Sequence, residues 1–340
     1  DSLYYNNGDG TFRNVTKAAT RHTSYFSMGS DAGDINNDGL MDFLSVDMLP
    51  EDHQRRNTQF ETVSLFSTLH DSTQMLKNSL QINRGNGTFS DIGYMTGVAT
   101  TDWSWTPLMA DLNNDGLKDI FVSNGIKYDI MDRDAIRFAA NPEVLDKMGL
   151  HDLAKKMSDT TLGSDRMLGK NLDLDQYFRK LPRTRINNFL FRNNGGLEFE
   201  NVSEEWGFTP PYNNTVAAAY VDLDNDGDLD MVLNNIDTIA TVYRNTSREK
   251  GLGNYLQVKL AGKGINTEGL GAKIEIKTKD NTQVQELNRT RGFASSVDAV
   301  IHFGLGKQKQ IDELTITWLS VAQQTIKNIK ANQRLVLKEE

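Results

Sequence analysis

Short apolar runs punctuate the chain, each bounded by turns rich in Asp, Asn and Gly. Val216-Ala-Ala-Ala-Tyr-Val221 leads into one such turn and Met231-Val-Leu-Asn234 leaves it. Phe43-Leu-Ser-Val46 and Ile120-Phe-Val-Ser123 leave two others. Runs of this length and β-leaning composition predict strands, and strand, turn, strand predicts a hairpin. The three turns share one pattern: Asp34-Ile-Asn-Asn-Asp-Gly-Leu-Met-Asp42, Asp111-Leu-Asn-Asn-Asp-Gly-Leu-Lys-Asp119 and Asp222-Leu-Asp-Asn-Asp-Gly-Asp-Leu-Asp230. A second motif also occurs three times, as Leu3-Tyr-Tyr-Asn-Asn-Gly-Asp-Gly-Thr-Phe12, Leu80-Gln-Ile-Asn-Arg-Gly-Asn-Gly-Thr-Phe89 and Leu190-Phe-Arg-Asn-Asn-Gly-Gly-Leu-Glu-Phe199. It turns a further hairpin. Phe12 to Asp34 and Phe89 to Asp111 are both 22 residues, and Phe199 to Asp222 is 23. Two hairpins at a fixed offset predict a four-stranded blade, and blades in series predict a β-propeller.

The pattern breaks in two inserts, at about 47–79 and 126–186. Helical spacing is expected near Gln59–Met75 in the first, and at Ala135–Phe138 and Val144–Met157 in the second. Such inserts either carry a binding surface or shield blade edges. From about Gly251 the alternation becomes strictly period two, as in Tyr255-Leu-Gln-Val-Lys-Leu260, Ala272-Lys-Ile-Glu-Ile-Lys277 and Leu314-Thr-Ile-Thr-Trp318. This predicts blades over 1–248 and a small β-sandwich-like domain over 251–340, a mainly β fold throughout.

Composition sharpens the picture in one respect. The 340 residues include 32 Asp but 14 Glu, and the formal net charge is −9. Asp favours turns and oxygen-ligand loops where Glu favours helices. Segment 251–340 is mildly basic, with 13 Lys and Arg against 9 Asp and Glu, so the blades carry the acidity. An acidic chain argues against nucleic-acid binding. No apolar run approaches the length of a membrane-spanning helix. The absence of Cys excludes disulfides, thiolate zinc sites and a Cys nucleophile. Asp1 follows no initiator Met or signal pattern, so the chain reads as a mature form or a fragment.

Eleven of the 32 Asp lie inside the three nine-residue turns. Calcium takes six to eight oxygens from carboxylates, amides, backbone carbonyls and water. Oxygen-bearing side chains at the first, third and fifth positions can face one centre, with Gly at the sixth for the sharp turn and a carbonyl from the seventh. Asp34, Asn36, Asp38 and Leu40 fit this, as do Asp111, Asn113, Asp115 and Leu117, and Asp222, Asp224, Asp226 and Asp228. The bidentate Glu that ends an EF-hand loop is replaced by Ser45, Val122 or Leu233; the ninth position is Asp instead, at Asp42, Asp119 and Asp230. About three structural Ca²⁺ sites are therefore expected. The alternative is an ion-free Asx turn, which leaves the crowded carboxylates repelling one another.

These paired motifs resemble FG-GAP/VCBS repeats, the calcium-bearing blades also found in integrin-α heads. Gly269-Leu-Gly-Ala-Lys-Ile274, Arg291-Gly-Phe293, His302-Phe-Gly-Leu-Gly306 and Leu314-Thr-Ile-Thr-Trp318 look like the ASPIC/UnbV domain. The pairing is similar to the cartilage acidic protein family and its bacterial relatives, over about 1–125, 187–248 and 251–340. The resemblance implies part of a propeller of about seven blades, with the remaining blades in an N-terminal part of a longer chain. It also implies a secreted, extracellular or cell-surface location. The cysteine-rich EGF-like module of the animal members is absent, which points to the bacterial type.

Two functions compete. The first is a calcium-stabilised, non-enzymatic scaffold for adhesion or for binding a glycan or protein, with Trp103 and Trp105 of Thr101-Asp-Trp-Ser-Trp-Thr106 as a stacking pair. Packing is the blander role for both indoles. The second is a secreted carbohydrate-active enzyme, with Asp129, Asp132 and Asp134 in the longer insert supplying a carboxylate pair. His22, His53, His70, His151 and His302 are scattered without triad or metal-ligand spacing. Arg291-Gly-Phe293 reads either as an exposed binding tip or as a plain hairpin turn.

Overall fold

Each Asp-rich turn joins two antiparallel strands, and each Asn-Gly turn hands the chain to the outer edge of the same sheet. A computed structural model describes residues 1–60, 73–129, 132, 141–147, 151, 155, 181, 183, 185–208 and 214–340. The first hairpin pairs β1 (Tyr4–Asn6) with β2 (Phe12–Asn14), followed by the short α1 (Thr16–Ala19) and β3 (Thr23–Ser24). The next sheet has β4 (Ser30–Gly33) and β5 (Asp42–Ser45) and, after α2 (His53–Phe60) and β6 (Gln74–Met75), β7 (Ser79–Asn83) and β8 (Phe89–Asp91), in the order β4-β5-β7-β8. The third pairs β9 (Ser104–Ala110) with β10 (Asp119–Asn124) and, after α3 (Pro142–Lys147), adds β11 (Phe189–Asn193) and β12 (Phe199–Asn201). The fourth contains β13 (Thr215–Val221), β14 (Asp230–Asn235) and β15 (Thr241–Tyr243). These meandering sheets are propeller blades, with β4, β9 and β13 neighbouring one another as the innermost strands. Four blade sheets occur among the described residues; the expected count of about seven concerns a longer chain.

Period-two alternation decides how the blades pack. On β10 and β11, Ile120, Val122 and Phe191 face Leu44, Leu80 and Ile82 of the preceding blade. The intervening Phe121 and Leu190 face Ala218, Met231 and Leu233 of the following one. Both faces are apolar, so β10 is buried along its whole length. Fully burying such side chains contributes about 1.5–3 kcal/mol each.

The C-terminal region packs two sheets face to face. One has β16 (Asn254–Ala261) between β21 (Val300–Gly306) and a parallel β24 (Gln333–Lys338). The other runs β18 (Thr282–Glu286), β17 (Lys273–Lys277), β22 (Gln310–Thr317), β23 (Gln323–Lys330). Leu256, Val258, Phe303, Ile274, Ile276, Leu314, Ile316 and Trp318 fill the space between. A small hairpin, β19 (Thr290–Arg291) and β20 (Ser295–Ser296), leaves this sandwich and lies against β4, β9 and β13.

Blades and sandwich form one compact unit, Asp1–Leu49, Thr73–Gly125 and Ile186–Glu340; Pro50–Ser72 and Ile126–Arg185 form a second. In that second unit α2 starts six residues before the expected Gln59, because the Asp52 carboxylate accepts the Arg55 N–H at 2.7 Å and caps it early. The far end of the expected helix is strand instead: Gln74–Met75 pairs in parallel with Thr23–Ser24. Helix α3 opens on Pro142 with Asn141 Oδ1 accepting the Glu143 N–H. Ala135–Phe138 and His70 lie outside the described residues.

Candidate functional site

The three Asp-rich loops fold alike because the same side chains receive the same backbone donors. The first-position carboxylate accepts the N–H of the fifth and sixth residues: Asp34 from Asp38 and Gly39 at 3.1 and 2.9 Å, Asp111 from Asp115 and Gly116 at 3.2 and 2.8 Å, Asp222 from Asp226 and Gly227 at 3.1 and 3.2 Å. The fifth-position carboxylate accepts the N–H of the seventh, so Leu40, Leu117 and Asp228 are held at 2.9, 2.8 and 3.1 Å from Asp38, Asp115 and Asp226. Gly39, Gly116 and Gly227 have φ of 85°, 94° and 94°, which a side chain would strain.

The ninth-position Asp ties the two sequence motifs together. Asp42 accepts Ile35 N–H at 3.0 Å and Asn83 N–H at 2.8 Å, and Asp119 accepts Leu112 and Asn193 N–H, both at 3.0 Å. Asp230 accepts Leu223 and Asn245 N–H at 2.9 and 2.8 Å. Asn83 and Asn193 open the Asn-Gly turns, so the inner hairpin is latched to the outer one. Asn245 has no Asn-Gly turn around it and was not a sequence candidate, yet it fills the same place. Its spacing from Asp230, 15 residues, is far shorter than the 41 and 74 of the other copies, whose blades contain the inserts.

A second unforeseen residue is the fourth-position Asn, present in every copy. Asn37 Nδ2 donates to the Gly116 carbonyl at 2.9 Å and Asn114 Nδ2 to the Gly227 carbonyl at 3.0 Å, so the first loop is bonded to the second and the second to the third. Lys118 reaches back from the second loop to the Asp34 carbonyl at 3.0 Å. The C-terminal sandwich meets the same loops. His302 Nε2 lies 2.6 Å from Asn114 Oδ1, Gly306 N–H donates to the Asn114 carbonyl, and Gln257 Nε2 donates to Asp222 at 2.7 Å. A Cβ on Gly304 would collide with Asp111, so backbone of β21 rests directly on the second loop. Burial pushes the His302 imidazole down to about 3, which keeps it neutral.

Burial, and after it carboxylate crowding, raises several of the loop acids. Asp42 is pushed up to about 6, Asp111 and Asp228 to about 7, and Asp119 well above the usual range, in each case first by burial and then by neighbouring carboxylates. Backbone donors oppose the shift without cancelling it. One oxygen from each of Asp222, Asp224 and Asp226 lies within 4.8 Å of the others, and Asp226 Oδ2 is buried without a hydrogen-bond donor. Clustered carboxylate, amide and carbonyl oxygens are the donor set of a hard cation, and the third loop gathers three carboxylates of such a set.

The remaining candidates sit elsewhere. Trp103 is buried; Trp105 donates from Nε1 to the Gly125 carbonyl at 2.6 Å and packs on Phe293, ring centroids 4.9 Å apart. The two indoles are packing groups here, not an open stacking platform. Arg291-Gly-Phe293 is likewise not an exposed tip: Arg291 pairs with Asp31 at 2.9 Å, and Phe293 exchanges backbone hydrogen bonds with the Thr106 hydroxyl. In the second unit Asp129 is buried and paired with Arg55 at 2.8 Å, Asp132 N–H donates to the Asp129 carbonyl, and Asp134 lies outside the described residues. Among the described residues no helix is long and apolar enough to cross a membrane.

Comparison with known proteins agrees with this architecture. Residues 1–45 and 65–122 match the FG-GAP-like repeat, and residues 262–340 match the ASPIC and UnbV family. Cartilage acidic protein 1 of Xenopus tropicalis is 27% identical over 252 residues, covering 71% of this chain and 38% of that protein. Cartilage acidic protein 1 of Homo sapiens is 23% identical over 252 residues, covering 71% and 37%. The chain thus spans less than two fifths of the length of the curated relatives it matches. It carries FG-GAP-like repeats joined to an ASPIC/UnbV domain and is a distant homologue of cartilage acidic protein 1.

Proposed function

We propose that this chain is a calcium-stabilised, non-enzymatic scaffold, secreted or at the cell surface, that serves adhesion or binds a glycan or protein ligand. The observation that carries the reading is the recurrence of one loop in three blades. Each copy gathers acids at its first and ninth positions with further oxygens at its third and fifth, and in each copy at least one of them, Asp42, Asp111 or Asp226, is raised first by burial and then by neighbouring carboxylates. A divalent cation relieves that crowding and favours only the folded loop, so it stabilises by mass action. At a hundredfold excess over Kd one site contributes about 2.7 kcal/mol, and three about 8 kcal/mol. For a unit of this size that raises Tm by on the order of 15–30 °C.

Thermal melts in Ca²⁺ and in chelator test this directly, and coincident melts would sink it. The enzyme reading has weaker support, because the buried Asp129 carboxylate is held by Arg55 in an ion pair. Hydrolysis assays run beside a glycan array separate the two, and turnover would overturn the scaffold reading.

A further inference from the structure

The third loop differs from the other two at positions that change its chemistry. In the first two, the third-position amide donates to the fifth-position carboxylate, Asn36 to Asp38 at 2.9 Å and Asn113 to Asp115 at 2.8 Å. The third loop has Asp224 there, which has no proton to give. At the seventh position Leu40 and Leu117 give way to Asp228. Asp228 is 0% exposed; its Oδ2 accepts Arg248 N–H at 3.0 Å, and its Oδ1 is buried without any hydrogen-bond partner. A buried carboxylate oxygen without a donor is costly unless a charge meets it. Beside it stands Glu249, from the segment after β15: one oxygen each from Asp226, Asp228 and Glu249 lie within 4.8 Å of one another.

We propose that Asp226, Asp228 and Glu249 form a second divalent-cation site beside the third loop, with Asp226 as the carboxylate shared between the two. The proposal extends the reading of the loops as oxygen-ligand cation sites, but two of its three side chains serve no loop in the other blades. Its ligands are all carboxylates, which select a hard cation such as Ca²⁺ or Mn²⁺ over a soft one. Arg244 is its competitor. The guanidinium bonds Glu249, donates from Nε to Asp224 at 2.7 Å, and comes within 3.6 Å of Asp226. With its side chain 59% exposed, it can turn outward into water when a cation arrives.

The test is calcium stoichiometry by equilibrium dialysis on the whole chain, for wild type, Glu249→Gln, Arg244→Gln and Asp34→Asn. Glu249 has a side chain 44% exposed, so its amide leaves the fold intact. The expected result is one equivalent of Ca²⁺ fewer in Glu249→Gln than in wild type, and an equivalent bound about tenfold more tightly in Arg244→Gln, from removal of a competing charge. Equal stoichiometry in Glu249→Gln and wild type overturns the proposal. Asp34→Asn reads the first loop alone: loss of an equivalent there without loss in Glu249→Gln leaves the loop reading standing and this one refuted. Loss in Glu249→Gln alone supports this site and refutes the cation reading of the first loop.

Discussion

Removing the guanidinium of Arg291 tests how the C-terminal domain is held to the blades. Its Nη1 lies 2.9 Å from Asp31 Oδ1 and 2.7 Å from the Ala32 carbonyl, on the innermost strand β4. The two side chains are 11% and 2% exposed. In Arg291→Met the Asp31 carboxylate keeps only the N–H groups of Met109 and Ala32, at 2.7 and 2.9 Å, and faces no cation. Breaking a buried pair from one side costs about 3–5 kcal/mol, much of it the stranded charge. Asp31→Ala strands the opposite charge, and the double variant strands neither. A double-mutant cycle by urea unfolding should therefore show a coupling of about 2 kcal/mol or more. The loss should depend on pH. Burial raises the Asp31 carboxyl even with Arg291 beside it, and without Arg291 it rises further. A raised carboxyl favours folding below its unfolded pKa and loses that contribution as pH rises through the folded value. The defect of Arg291→Met should be greatest near neutrality and shrink toward the ordinary carboxylate range. Trp105, covered by Phe293, supplies a local signal: its emission should shift to the red before the blades unfold. A loss below about 1 kcal/mol, or an additive cycle, would refute the account of this contact as a buried anchor.

The Asn-Gly motifs should differ in weight although their sequences match. Asn193 is 2% exposed and donates to the Ile35 and Lys118 carbonyls while accepting Gly195 N–H, so Asn193→Ala should cost about 3 kcal/mol in denaturant unfolding; Asn6, whose side chain accepts Gly8 N–H at the surface, should cost under about 0.5, and equal losses would contradict this. In chelator, stability should fall as pH rises from about 4 to 7. Asp42, Asp111 and Asp228 are raised to about 6, 7 and 7, and they lose their favourable protonated state across that window. Saturating Ca²⁺ should flatten or reverse the slope, and a chelator-state Tm that climbs with pH would count against the crowding argument.

The blades were legible in the sequence because their information is local. An apolar run, nine residues of Asp, Asn and Gly, and a second run make a hairpin whatever surrounds them, and three copies at one offset make blades. What escaped is tertiary. Asn245 lacks the Gly turn that marked Asn83 and Asn193, and only the fold brings its N–H to Asp230. Glu249 lies outside every motif and reaches Asp226 and Asp228 through the path of the chain after β15. Trp105 offers the same residue type to a sugar or to Phe293, and composition cannot choose between them. The helix limits near α2 moved because one Asp52 side chain and one strand pairing overrode periodicity.

The fourth-position Asn, present in all three loops, is a different case, because its residue type is visible in the sequence while its reach is not. Asn37, Asn114 and Asn225 have φ of 57°, 62° and 61°, a left-handed conformation that Asn tolerates better than most residues. That backbone accounts for part of the preference. The rest comes from reach: in two copies the amide extends to the Gly carbonyl of the next loop. The three copies then diverge by neighbour. Asn37 is half-buried against the second loop, Asn114 is sealed beneath His302 and Gly306, and Asn225 is exposed. Identical local geometry thus sits in three environments, and the second loop is gripped from both sides. A cation or proton bound there acts on a segment already bonded to the next blade and to the C-terminal sandwich. Loss of charge balance in the second loop should therefore loosen domain docking more than the same loss in the first, even though their nine residues differ at only two positions, Ile35 against Leu112 and Met41 against Lys118.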